Sequence, residues 1–551
     1  MRLSGVNLTQ IVLPDSGIGM YFMYGGIRLS AIHNAKKRTQ AEMSSISIKL
    51  KFVSLLILGL SFGPCVGQVQ QLDRFELIIN ENEPSEDYQA SSLDDNGILI
   101  HRRIPGRKED QIELIKIDSS LHENWRGYIT IQKDLLISHL KMKDNLVFIL
   151  LKSGKYVSGD FQVIAVQADD GNFSVYTIKN MIPFNPSDFV VTSKGMLIGG
   201  YYNYRPLVLF FSFKTQRSKI LPGFFNEPGE LNQIKTYPNA SMEIIVSAKN
   251  FEHQRCLWIR NYDEEGDLVK TTVLEPTVNR NLIFGRSVKM PGDAQVVAGV
   301  YGSRNGEYSR GIFVAEINQA GEYKINYHNF SELQNFFNYM KVRREKRVKE
   351  RIERRKIKGK KTRFNYRLLV QEVVPYGDQY IMLGEAFYPH YTYTGSNAFG
   401  ISQFYSNPLM RGDRVFDGYQ YTHAIVIGFD KNGKLKWDNS FEINDVKSFE
   451  LQQLVKISPD DNRIVLLYLY DNLIRSKIIK DNQVLEGKTA DPVKSKFETD
   501  IVKEKDTRNS KLNYWYSEHF FASGIQKVRN PLTGNESGYR KVFFINKLKY
   551  Q

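Results

Sequence analysis

Two stretches of the chain concentrate side chains able to do chemistry. Residues 389–422, PHYTYTGSNAFGISQFYSNPLMRGDRVFDGYQYT, are rich in Tyr, Phe, Gly, Ser and Asn. Aromatic rings give rigid contact area and Ser or Asn give adaptable hydrogen bonds, the composition of a binding loop. Tyr388, His390, Tyr391, Tyr393, Phe404, Tyr405, Phe416, Tyr419 and Tyr421 form the candidate set, suited to stacking on sugar rings or a peptide. The alternative is a loop packed on its own rings. The second stretch, residues 341–363, reads KVRREKRVKERIERRKIKGKKTR and holds 14 basic and 3 acidic side chains. Its Arg343, Arg344, Arg347, Arg351, Arg354 and Arg355 are the expected contacts for an acidic partner protein or an anionic envelope surface. A solvated helix laced with pairs such as Glu345–Lys349 is the alternative.

Catalytic motifs do not accompany these stretches. None of the nine His falls in a His-Glu-x-x-His spacing. His390 and His423 flank the aromatic stretch, but a surface or core role is commoner for such His than metal ligation. No Gly-x-Ser-x-Gly elbow, Walker loop or Rossmann fingerprint is present. Asp430-Lys431-Asn432-Gly433 starts like a calcium loop but lacks the distal Glu, and a hairpin turn explains it. Arg411-Gly412-Asp413 matches an adhesion tripeptide, yet three-residue matches arise by chance and no role is assigned. No metal and no cofactor is expected. A pair of hydrolytic carboxylates stays open, because Asp and Glu are plentiful.

Composition describes the elements that must carry these residues. The 551-residue chain is 42% hydrophobic and 12% aromatic, with 31 Tyr and 33 Phe, which favours strands and a sizeable core. Two Cys exclude a disulfide-stapled scaffold and a Cys-rich zinc site, and Cys256, in Cys-Leu-Trp-Ile, reads as an inert core residue. No run of 18 apolar residues occurs, which excludes a bundle of membrane-spanning helices. The formal net charge is +15, but residues 1–67 and 341–363 account for all of it. The body is close to neutral, so the fold itself does not read as nucleic-acid-binding, and nucleic acid is not an expected partner.

The N-terminus reads as an export signal. Lys49 and Lys51 precede the apolar stretch FVSLLILGLSF (52–62), Pro64 breaks it, and Val66-Gly67 leads to a cleavage point between Gly67 and Gln68. Met43 reads as the natural start, which makes residues 1–42 an over-extended N-terminal segment and 43–67 the signal peptide. The expected compartment is beyond the inner membrane: periplasm, outer-membrane-associated or extracellular.

A repeat fills residues 68–551. A strand ends in an apolar residue followed by Asp/Asn-x-x-Gly-x-apolar, with Gly171, Gly266, Gly321 and Gly433 in four clear copies. Degenerate copies sit at Leu121, Arg217 and Asn482. Asp or Asn starts such a turn by bonding its own backbone, and Gly supplies the left-handed residue. Spacing near 50 residues, built of short strands, predicts an all-β architecture, a β-propeller of seven or eight four-stranded blades. The last unit is short, and the N-terminal strand DRFELII (73–79) is expected to complete it. One inserted long basic α-helix, spanning 331–362 with its flanks, interrupts the pattern. Ser331 to Gln334 reads as its capping box, and Leu333, Phe336, Phe337 and Met340 as its docking face.

His423 to Phe441, HAIVIGFDKNGKLKWDNSF, resembles the strand, Asp-x-x-Gly, strand-with-Trp unit of bacterial seven-bladed propeller repeats. More broadly the chain resembles uncharacterised secreted propeller-like proteins of Gram-negative cell envelopes. The resemblance implies a fold and transfers no catalytic residue. The expectation is an exported, monomeric, non-enzymatic binding module for a protein or glycan. The alternative is a carbohydrate-active hydrolase or lyase, which would bring carboxylates together at the mouth of the axial channel.

Overall fold

Alternating apolar positions bounded by turn residues form strands, and each group of four strands forms one antiparallel sheet. The computed structural model describes residues 69–80, 88–224, 228–277, 279–289, 294–304, 306, 308–393, 414–460, 463–505, 510–531 and 538–550. Seven sheets are meanders of four successive strands, covering residues 89–132, 135–178, 185–220, 229–274, 280–329, 367–442 and 456–492. One of the seven is not strictly regular, since a two-residue strand, Lys447–Ser448, adds to the sixth. The eighth sheet joins strands from 501–550 to the N-terminal strand Val69–Ile78, which pairs antiparallel with Tyr539–Tyr550. The first strands of successive blades pack beside one another: two on three, three on four, four on five, five on six, seven on eight, and eight on one. The fold is an eight-bladed β-propeller closed by its N-terminal strand.

The hydrophobic core is divided among the blades. Eight clusters of buried side chains form, each shared by two neighbouring blades. Phe161 and Phe184, for example, meet edge to face at 5.2 Å across blades two and three. Each large apolar side chain removed from water contributes about 1.5–3 kcal/mol, so the stacked faces, and no single centre, hold the ring.

The repeated turn closes the third and fourth strands of its blade. In Asn318–Gly321 the Gly321 N–H donates to the Asn318 carbonyl at 2.9 Å, and Gly321 has φ +91°. The Asn318 side chain accepts from the Glu322 N–H at 2.9 Å. Gly171, Gly266 and Gly433 repeat the positive φ, and Leu121 does so at the degenerate copy in blade one. A second regularity was hidden in the sequence. The first strand of blades two to six carries a one-residue bulge against the second, as between Ile137 and His139 or between Leu282 and Phe284. Bulges bend and twist the strand nearest the axis.

The single α-helix among the described residues, Val342–Ile357, is shorter than the sequence suggests. Ser331 does not cap it. Asn329 and Glu332 form the capping box instead, around a 3-10 turn, Phe330–Glu332. Leu333, Phe336 and Phe337 are buried between blades five and six, but outside the helix, the two Phe in turns. Their backbone is satisfied from outside: Asp438 accepts the N–H groups of Gln334 at 2.8 Å and Asn335 at 2.7 Å. The helix itself docks through Val348 and Ile352 on that same cluster. Cys256 is buried and free, and burial pushes its thiol up to about 12.

Candidate functional site

Strand order decides where the two singled-out stretches lie. In a four-stranded antiparallel meander, the connection into the first strand and the turn between strands two and three share one end. The segment 330–366 enters blade six, and the aromatic stretch joins its second strand, Gln379–Tyr393, to its third, Arg414–Asp430. Both stretches therefore occupy the same end of the propeller.

The aromatic stretch is largely a hairpin arm. The ladder of strands two and three runs out to Tyr393 opposite Arg414, because alternating Tyr, Thr and Phe residues suit a strand. Phe416 packs edge to face on Tyr391 at 5.9 Å and on Tyr419 at 5.0 Å, and Tyr419 on Phe387 at 5.6 Å. Tyr388, Tyr391 and Phe416 keep exposed faces, joined by Phe449 from the following segment. His390 lies 3.1 Å from Asp417 and Lys447 pairs with the same carboxylate, so hydrogen bonds with Lys447 first and then His390 hold Asp417 below the usual carboxylate range. Tyr421 departs from the candidate set. It is buried, and its hydroxyl donates to the Gln452 carbonyl at 2.8 Å, a core role. Phe404 and Tyr405 lie outside the described residues, as do Gly67 and Gln68. His423 does not join His390 in a site. It is buried, stacks on Tyr339 at 3.7 Å between ring centres, and burial pushes its pKa down to about 3.

The cationic stretch contributes to a groove that sequence alone does not assemble. A cavity of about 510 Å³ lies at the end of blade five, lined by Arg280, Arg304, Arg310, Lys361 and Arg363. A second cavity, of about 530 Å³, shares Asn329, Lys361 and Arg363 with it and adds Arg351, Arg355 and Lys360. Among the described residues, none of these cations forms an ion pair with a carboxylate. Arg280 lies over the Tyr327 ring at 4.0 Å, Arg304 donates to the Glu252 carbonyl at 2.9 Å, and Arg310 donates to Asn365. Arg355 donates to the Lys361 carbonyl at 3.2 Å. The acid lining the groove, Glu332, accepts the Asn329 N–H at 2.9 Å and is tied to the turn. Tyr301, Tyr327, Ser303 and Asn329 supply ring faces and hydrogen-bonding groups to the same walls.

Of the six arginines singled out from sequence, Arg351 and Arg355 line this groove; Arg343, Arg344, Arg347 and Arg354 do not. Glu345 and Lys349 form their expected pair at 2.6 Å. Arg280, Arg304 and Arg310 carry no sequence signal, because each sits alone at a strand end and the fold brings them together. Near the axis, a further cavity of about 670 Å³ is lined by residues from blades one, two, seven and eight, including Lys141 and Lys456 and no acid among the described residues.

No known family model matches the chain, and no curated protein matches it. Solved structures similar to it include the β-propeller domain of the Trilobed protease from Pyrococcus furiosus, at 9% identity and TM-score 0.34, over 72% of this chain and 95% of that one. A structure from a study of two prolyl endopeptidases has 11% identity and TM-score 0.36, over 75% of this chain and 50% of that one. The Glu150Asp mutant of Synechocystis apocarotenoid oxygenase has 10% identity and TM-score 0.28, over 44% of this chain and 60% of that one.

Proposed function

We propose that this propeller is an exported, non-enzymatic binding module that captures an anionic glycan in the groove between blade five and the helix. One observation carries the reading: the groove gathers cations that have no carboxylate partner among the described residues, beside tyrosine faces. Guanidinium groups present paired N–H donors that match carboxylate and phosphate oxygens, while Tyr301 and Tyr327 offer faces for sugar rings. Unpaired like charges held close together repel, and an anionic ligand relieves that repulsion. The axial cavity supports a binding role over hydrolysis, since its lining places lysines where an acid pair would act.

A glycan array carrying phosphorylated, uronate-bearing and neutral chains tests this. The mature chain should retain the anionic members, and Arg304→Glu with Arg363→Glu should lower their retention at least tenfold. Retention of neutral chains to the same extent, or an unaffected double variant, would overturn the assignment.

A further inference from the structure

Between blades three and four, a cavity of about 310 Å³ opens at the end of the propeller that also carries the groove, and shares no lining residue with it. Phe224, Trp258, Val246, Ala248 and Pro206 make it mainly apolar. Its size is at the lower bound of small-molecule sites, ~300–1,000 Å³. Arg260 projects into it from the third strand of blade four, Arg255–Tyr262. The guanidinium carbon lies 5.2 Å from the Phe224 ring centre and 5.5 Å from that of Trp258. Among the described residues, Arg260 makes no hydrogen bond and no ion pair. Two ring faces hold the cation in place, and among the described residues its five N–H donors lack acceptors. The Trp258 indole N–H also lacks an acceptor among the described residues. Burial lowers the Arg260 pKa, and among the described residues no carboxylate of the site neutralises its charge. Phe251, fully exposed, stands among the lining residues on the turn between strands two and three.

A mainly apolar cavity with one guanidinium that is unpaired among the described residues sets two criteria for a ligand, charge and shape. A phosphate dianion would bring more charge than a single half-buried Arg offsets, whereas a carboxylate matches the guanidinium fork one to one. Lys249, the other cation of the lining, is exposed. We propose that this cavity binds a small monocarboxylate with a flat apolar body, its carboxylate on Arg260 and its body against Trp258. The site is independent of the glycan groove, and either assignment can fail without the other.

Calorimetry and ligand-observed NMR on the mature chain test it with three acids, benzoate, phenylacetate and indole-3-acetate, each against its neutral amide. At least one acid should bind, with its amide at least tenfold weaker. Arg260→Met keeps most of the side-chain volume and should bring the acid down to the level of the amide, while Trp258→Leu should weaken both. Equal binding of acid and amide to the unaltered protein would overturn the proposal, and that comparison needs no variant to fold. So would an unchanged acid affinity in Arg260→Met, or no binding of any acid below about 10 mM, a free energy too small for a built site.

Discussion

Glu385 should make the stability of this propeller fall as pH rises from 5 to 8, and Glu385→Gln should remove that fall. The side chain is fully buried on the second strand of blade six. Its carboxylate accepts the N–H groups of Val455 at 2.6 Å and Leu454 at 3.1 Å, and the Gln371 amide at 3.1 Å. It thereby holds the segment that enters the first strand of blade seven, Lys456–Pro459. Three donors favour the charged form, but burial outweighs them and raises the pKa to about 7. The folded state then binds a proton more tightly than the unfolded chain does. The stabilisation is complete below the ordinary value of 4.5 and is lost as pH rises through about 7. That interval is worth about 3 kcal/mol.

Gln at this position accepts the Val455 and Leu454 N–H groups with its carbonyl oxygen and carries no charge to desolvate. Denaturant melts at pH 5, 6, 7 and 8 give the assay, read as variant minus parent so that other titrating groups cancel. The difference should be small near pH 5 and grow toward about 3 kcal/mol in favour of Gln by pH 8. A difference that stays constant across that range would show that burial does not govern this carboxylate, and the reasoning would be wrong.

Two further outcomes concern the frame. Asp438→Ala should cost about 1–3 kcal/mol, because the Gln334 and Asn335 N–H groups lose their acceptor where they are sheltered by blade six; chemical denaturation measures it, and limited proteolysis should cut faster near the helix. Gly299→Ala places a Cβ 1.9 Å from the Phe284 carbonyl oxygen beside the blade-five bulge, so its Tm should drop by several degrees, whereas Gly487→Ala meets nothing and should not move it.

The turns of this fold were legible because they are local. Asn318 and Gly321 are three residues apart, and the chemistry that forces the chain back is written within that window. Closure by the N-terminal strand was legible for a related reason, since the last unit lacked a strand and DRFELII offered one. The bulges were not legible, because the inserted residue is Ser138 in one blade and Ile283 in another; neighbouring blades set it, not side-chain type. The helix start at Ser331 was misread because Leu333, Phe336, Phe337 and Met340 repeat at helical spacing. Asp438, more than a hundred residues away, satisfies those N–H groups in a non-helical path. The same limit hid the groove. The charged run was visible, but Arg280, Arg304 and Arg310 become its neighbours only after blade five has folded.

Why the chemistry gathers at one end follows from the packing. Both faces of every blade are committed to clusters shared with neighbours, so a polar substitution there costs core burial. Only the ends and the outermost strands remain free. At one end the connections between third and fourth strands are short Asp/Asn-x-x-Gly turns, whose own hydrogen bonds leave little room for variation. The opposite end carries the connections between blades and between second and third strands. The inserted segment and the extended hairpin arm occur there, and so do the cationic groove and the Arg260 cavity. Lengthening a connection at that end adds surface without disturbing a stacked face, because the cost of closing a longer loop grows only slowly with its length. The groove and the Arg260 cavity share one end because the repeated turns occupy the other.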